Sequence, residues 1–152
     1  MKKILLVGIC IATLIIILIF TKGFGLFTAT GSFLKNNEEF KIPLSDISEN
    51  AKWYEYESSG VAIRFFAVKA SDGSIKTAFD ACDVCYRYKK GYRQEGDYMV
   101  CNNCGRRFLI NNLGTENKNI GGCWPGYLPS KIDGQYLIIK TSDLENGRWR
   151  FA

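Results

Sequence analysis

Two C-x-x-C pairs, C-D-V-C at Cys82 to Cys85 and C-N-N-C-G at Cys101 to Gly105, stand fifteen residues apart. No other feature constrains the fold as much. Each pair suits a tight turn that aims two sulfurs the same way. The intervening chain is long enough to loop out and set the second turn opposite the first. A further cysteine, Cys123, follows in G-G-C-W-P, nineteen residues after Cys104. The chain has no histidine, so a metal centre here is dominated by thiolates, which suits zinc, iron or an iron–sulfur cluster.

The competing reading is disulfides, which persist in exported domains. Five cysteines follow the apolar N-terminal run, an odd number that leaves one thiol over in any monomeric pairing. A bond within one C-x-x-C closes a very small loop, stabilises little, and is the pattern of thiol redox chemistry. Metal ligation and thiol chemistry both stay open. Cys82, Cys85, Cys101 and Cys104 are the first candidates for ligands. Cys123 is a fifth ligand, a replacement for one of the four, or a buried free thiol. Gly105 can take the positive φ that a cysteine knuckle requires, whereas Tyr86 holds the matching place after the first pair. Gly121 and Gly122 would let the backbone beside Cys123 approach closely.

The N-terminus sets the compartment. Ile4 to Phe20 is an uncharged apolar run of seventeen residues, which as a helix reaches about 26 Å, the short end for a bilayer crossing. Lys2 and Lys3 precede it and only Lys22 follows closely, which favours a cytoplasmic N-terminus. A cleaved signal peptide is the rival, but the run exceeds the usual signal core and the following residues offer only a weak small-residue site. Cys10, inside the run, reads as a small apolar filler. The predicted organisation is a transmembrane anchor over 1–22 in contact with lipid through residues 4–20, a juxtamembrane linker over 23–37, and an extracytoplasmic domain over 38–152. The localisation that follows is the cell membrane, single-pass, with the C-terminal domain outside the cytoplasm.

Regular structure in that domain is mostly β. Ala51 to Glu57, Val61 to Lys69 and Ser74 to Asp80 are rich in β-branched and aromatic residues, and Ser58-Ser59-Gly60 and Ala70 to Gly73 separate them. This predicts an antiparallel meander that delivers the chain to Cys82. Phe40 to Ile47 reads as an edge strand because of Pro43, and Gln135 to Lys140 as another strand. Thr141 to Gly147 reads as a helical turn with Ser142 and Glu145 at capping-box spacing and Gly147 as its stop. Arg148 to Phe151 is expected to form a last strand. The fold class is α+β, mostly β: a small antiparallel β domain with a cysteine-knuckle metal site, preceded by one N-terminal transmembrane helix.

Several function classes are excluded. Three of the five net positive charges are Lys2, Lys3 and Lys22, and no basic stripe of the kind that nucleic acid requires remains. Arg87 to Arg93 is a local basic stretch, read as a solvated loop. There is no phosphate-cradling glycine loop and no H-E-x-x-H. Asp80 is read as capping a turn and Asp83 as solvated. A stand-alone enzyme is not indicated; metal binding or electron transfer is.

The segments IPLSDI, IRFFAVKASDGSIKTAFDACDVC, MVCNNCGRRF and NIGGCWPGYLP occur in order, and together they resemble the FtrD-like family of membrane iron–sulfur-containing proteins from about Lys41 to Phe151. The resemblance implies that Cys82, Cys85, Cys101, Cys104 and Cys123 occupy the family's cysteine positions. It implies a role in ferrous-iron uptake, with electrons passed beside a membrane permease or another redox partner, and an iron–sulfur cluster or iron as cofactor, with zinc the alternative. Larger members carry many membrane spans, whereas one is predicted here. Two other readings stand beside it: a zinc-stabilised interaction module without a redox role, and a thiol–disulfide oxidoreductase.

Overall fold

The three aromatic and β-branched runs form the predicted meander in a computed structural model that describes residues 38–118 and 122–152. The anchor over 1–22 and the linker over 23–37 lie outside the described residues, as do Cys10 and Gly121. Within them no helix is long and apolar enough to cross a membrane. Strand β1 covers Glu39–Pro43, and β2 (Lys52–Ser58), β3 (Val61–Lys69) and β4 (Ile75–Phe79) make the meander. The β2–β3 turn uses Ser59 and Gly60, both at positive φ, the backbone that matches the twist of a tight hairpin.

Five more strands and one α-helix follow among the described residues. Strands β5 (Tyr92–Glu95), β6 (Tyr98–Cys101) and β7 (Arg107–Leu109) form a second antiparallel sheet. Strands β8 (Lys131–Asp133) and β9 (Tyr136–Lys140) form a third with β1, in the order β1-β9-β8, and the helix α1 covers Thr141–Asn146. Pro43 sits on the edge strand, as its missing N–H requires.

The meander is the central layer. Residues Phe65 to Val68 of β3 are all fully buried, as a strand covered on both faces must be. Ile63, Phe65 and Ala67 pack toward Phe40, Ile42, Leu137 and Ile139 of the β1–β9 sheet. Phe66 and Val68 face the other way, into a cluster that holds Met99, Phe108 and the buried cysteines. Period-two alternation along one strand thus assigns one core to structure and the other to the sulfur site.

Two C-terminal expectations fail. Arg148–Arg150 is a 3-10 turn rather than a strand. Gly147 does cap the end of α1 as expected, but in the right-handed region at φ −89° rather than by a left-handed reversal. Its Cα lies against the Phe79 ring, which an added Cβ would meet at 2.1 Å; close approach, not a left-handed stop, is what requires glycine there. The Ser142–Glu145 capping box does not form either, since α1 has no side-chain cap bond. The N–H of Thr141 donates to the Glu38 carbonyl at 3.0 Å, so a neighbouring strand end supplies the acceptor that a cap would.

Candidate metal centre

Three separate pieces of backbone bring the cysteines together. Strand β4 ends in Asp80-Ala81 and enters the first turn at Cys82. There the Cys85 N–H donates to the Cys82 Sγ at 2.9 Å, a bond that orients the sulfur. The chain then runs through a 3-10 turn at Tyr86–Tyr88 and reverses at Lys89, whose φ is 53°. Because Tyr86 cannot easily take positive φ, the reversal is displaced three residues downstream.

The second turn is the more regular one. Strand β6 ends at Cys101, Gly105 takes φ 72°, and its N–H donates to the Cys101 carbonyl at 2.9 Å. Backbone N–H groups of Asn103 and Cys104 near the Cys101 sulfur, and that of Arg106 near the Cys104 sulfur, favour the thiolate form there, as a knuckle that will carry thiolate charge requires.

Cys123 arrives by strand-like pairing with the extension of β4. The Phe79 N–H donates to the Gly126 carbonyl, and the Gly126 N–H donates to the Ala81 carbonyl, both at 2.8 Å. The Cys123 carbonyl accepts from the Tyr92 hydroxyl at 2.5 Å, and Trp124 packs on Phe108 with ring centroids 4.7 Å apart. Gly122 has φ 88° and open space where a Cβ would stand. Its glycine therefore serves the backbone reversal, not the close approach expected from the sequence.

The five cysteines meet as free thiols. Cys82, Cys85, Cys101 and Cys123 are buried and Cys104 is exposed. The Cys85 and Cys123 sulfurs lie 3.7 Å apart, non-bonded contact rather than the roughly 2 Å of a disulfide. Cys82, Cys85 and Cys123 form one group with all sulfurs within 4.8 Å of one another, and Cys85, Cys101 and Cys104 form another. All five sequence candidates are therefore brought to one place.

Burial and mutual proximity favour the neutral form at Cys85, Cys101 and Cys123 until a cation arrives. Burial pushes the Cys101 thiol up to about 11. The Asn103 side chain hydrogen-bonds Cys85 and favours its thiolate, but burial and the neighbouring Cys123 and Cys82 sulfurs outweigh it and push that thiol up to about 11 as well. Burial also raises Cys123. At Cys104 burial opposes ionisation, yet hydrogen bonds from the Arg106 backbone and from the Cys101, Cys123 and Cys85 thiols hold it below the ordinary value. Tyr92, desolvated and set against the Cys82, Cys101 and Cys123 sulfurs, is raised far and stays a neutral donor. Thiols this crowded and dry suit a thiophilic metal, whose charge replaces the protons. The donor set fits such a group.

Three supporting residues escaped the sequence reading. Asp80 does not cap its own turn: it is buried and accepts the Tyr92 N–H at 2.7 Å, with Arg64 Nε 3.9 Å away. Asp83 is not solvated, since Arg150 binds it at 2.7 Å while stacking on Trp149. Asn103, between the second pair of cysteines, reaches across to Cys85 of the first. The predicted basic loop carries part of a cleft of about 580 Å³ that opens onto Cys82, Cys85 and Cys101, with Arg64, Lys89 and Lys90 on its rim.

A family model described as "Membrane iron-sulfur containing protein FtrD-like" matches residues 47–151, a span that holds all five of these cysteines. No match was found among curated proteins.

Proposed function

Since the chain belongs to the FtrD-like family of membrane iron–sulfur-containing proteins, we propose that its domain carries a thiolate-ligated iron or iron–sulfur centre for electron transfer or metal handling in iron uptake. The observation that carries this reading is the convergence of five free thiols from three distant segments on one buried site. Cys82, Cys85, Cys101, Cys104 and Cys123 are the ligand candidates. When bound, such a centre supplies one-electron chemistry at a potential set by burial and by hydrogen bonds to sulfur.

The chain's own residues do the rest. Phe108, Trp124 and Tyr92 exclude water from the inner sulfurs, and the amide donors of the second knuckle favour thiolate there. Cys104, the exposed member, marks the side from which an electron or an ion is exchanged. In the proposed topology the domain stands outside the cytoplasm on an anchor over 1–22, beside a membrane permease or redox partner.

The test is a single anaerobic preparation of the full chain in detergent, assayed for metal, acid-labile sulfide, visible spectrum and free thiols. Iron with visible absorption that changes on reduction supports the proposal, and Cys101→Ser should abolish it. A colourless zinc-loaded protein would replace it with the interaction module. Metal-free protein with all six thiols titratable, Cys10 included, would end it.

A further inference from the structure

The five sulfurs are not spread evenly. Two triangles close within 4.8 Å, Cys82–Cys85–Cys123 and Cys85–Cys101–Cys104, and they share one corner at Cys85; no fourth cysteine joins either triangle at that distance. A single ion bound by four thiolates at about 2.3 Å needs all of its sulfur pairs within about 4 Å of each other. An ion at the centre of a sulfur triangle needs only that triangle's edges to be about 4 Å. The Cys85–Cys123 edge, at 3.7 Å, has that length.

Chemistry supports the shared corner. A thiolate keeps three lone pairs and can bond two cations at once. The Cys85 sulfur lies within 4.8 Å of each of the other four. Soft cations that accept three sulfur ligands match such triangles better than hard, oxygen-seeking ones.

We infer that the five cysteines form a two-ion site for soft cations, with Cys85 as the bridging thiolate between an inner and an outer half. Cys82 and Cys123 complete the inner half, where every ligand is buried. Cys101 and Cys104 complete the outer half, which reaches solvent through Cys104. Loading with two divalent ions releases five thiol protons to solvent and leaves one net negative charge on the cluster, toward which the Arg64, Lys89 and Lys90 rim of the cleft presents positive charge. The outer ion exchanges first. This inference rests on the thiolate-ligand reading proposed above and adds ion count and connectivity to it.

The probe is ¹¹³Cd(II), which is thiophilic, redox-silent and visible by NMR. The reduced full chain in detergent is titrated with it under anaerobic conditions and without added sulfide. Two cadmium ions per chain are expected, with two resonances that show mutual scalar coupling through the shared sulfur. Cys85→Ser should remove that coupling, with far-ultraviolet circular dichroism checking that the variant folds. Cys104→Ser, at an exposed position, should weaken one ion about tenfold or more and leave the other resonance in place. A stoichiometry of one in the unaltered chain overturns the two-ion site while leaving a single thiolate centre standing. Two ions without coupling overturn the bridge, and no bound cadmium overturns both proposals.

Discussion

Asp80 accepts a hydrogen bond from the Tyr92 backbone N–H at 2.7 Å, and this bond closes the loop that holds the first cysteine turn. The loop leaves β4 and returns at β5, so the carboxylate joins two sheets at the point where the sulfurs meet. Gly91, at φ 62°, passes so close that an added Cβ would stand 2.4 Å from an Asp80 oxygen.

Replacing Asp80 by Ala should therefore destabilise the apo protein by about 1–3 kcal/mol, the cost of stranding a buried donor. Gly91→Ala should cost a similar amount, part from collision with the carboxylate and part from the left-handed backbone, about 1–2 kcal/mol. The two changes should not add. In the Asp80→Ala background the collision is gone and only the backbone part remains. Urea unfolding of the four proteins checks this, and strict additivity would show that the two residues are not in contact.

Gly147→Ala tests a different kind of glycine. Its φ of −89° is open to any residue, so no backbone strain arises. The Phe79 ring blocks the space instead, and overpacking of this kind costs about 1–3 kcal/mol. Phe79→Leu should recover part of the loss in the double variant. If Gly147→Ala melts with the parent protein, the contact with Phe79 carries no energy.

Much of this was legible in the residues, for identifiable reasons. The meander followed from β-branched runs cut by Ser59-Gly60 and Asp72-Gly73, because local propensity and core burial agree there. The nearness of the two cysteine turns followed from spacing, but the division of the sulfurs into two triangles that share Cys85 did not. Strands β5, β7 and β8 were not foreseen, although Gly96-Asp97 and Gly134-Gln135, with both glycines at positive φ, are hairpin signals for the first and the last. The charged residues beside them obscured the pattern. Asp80 and Asp83 could not be placed from sequence, since their partners Tyr92 and Arg150 lie 12 and 67 residues away. The expected strand at Arg148 failed because aromatic content resembles strand propensity, while the packing of Phe151 on Phe79 and of Arg150 on Trp149 determines the backbone.

Arg150 should resist conservative replacement. Its guanidinium binds Asp83 through two nitrogens, at 2.9 and 2.7 Å, and lies 4.3 Å from the centre of the Trp149 ring. Lysine can supply charge but neither the fork nor the stacking plane. Asp83 lies between Cys82 and Cys85, so the pair anchors the first sulfur turn to the C-terminal turn. Arg150→Lys and Arg150→Ala should both weaken cadmium binding, by about tenfold, in a competition against a chelator. Full affinity in the lysine variant would reduce the interaction to simple charge.

Tyr92→Phe isolates a single hydrogen bond at the centre of the site. The ring stays in its contact with Phe108, and only the hydroxyl that donates to the Cys123 carbonyl is lost. The carbonyl then faces a dry interior without a partner, a cost of about 1–3 kcal/mol. The loss falls on the segment that carries Cys123, so the inner sulfur triangle should loosen while the Cys101–Cys104 knuckle, closed by the Gly105 N–H on the Cys101 carbonyl, keeps its geometry. Metal affinity should drop by about ten- to a hundredfold, the range seen when a residue behind a ligand is changed. In the Cys123→Ser background the same substitution should no longer weaken binding, because its effect passes through that cysteine. An equal loss in both backgrounds would mean that Tyr92 acts on the site through general packing and not by holding Cys123 in place.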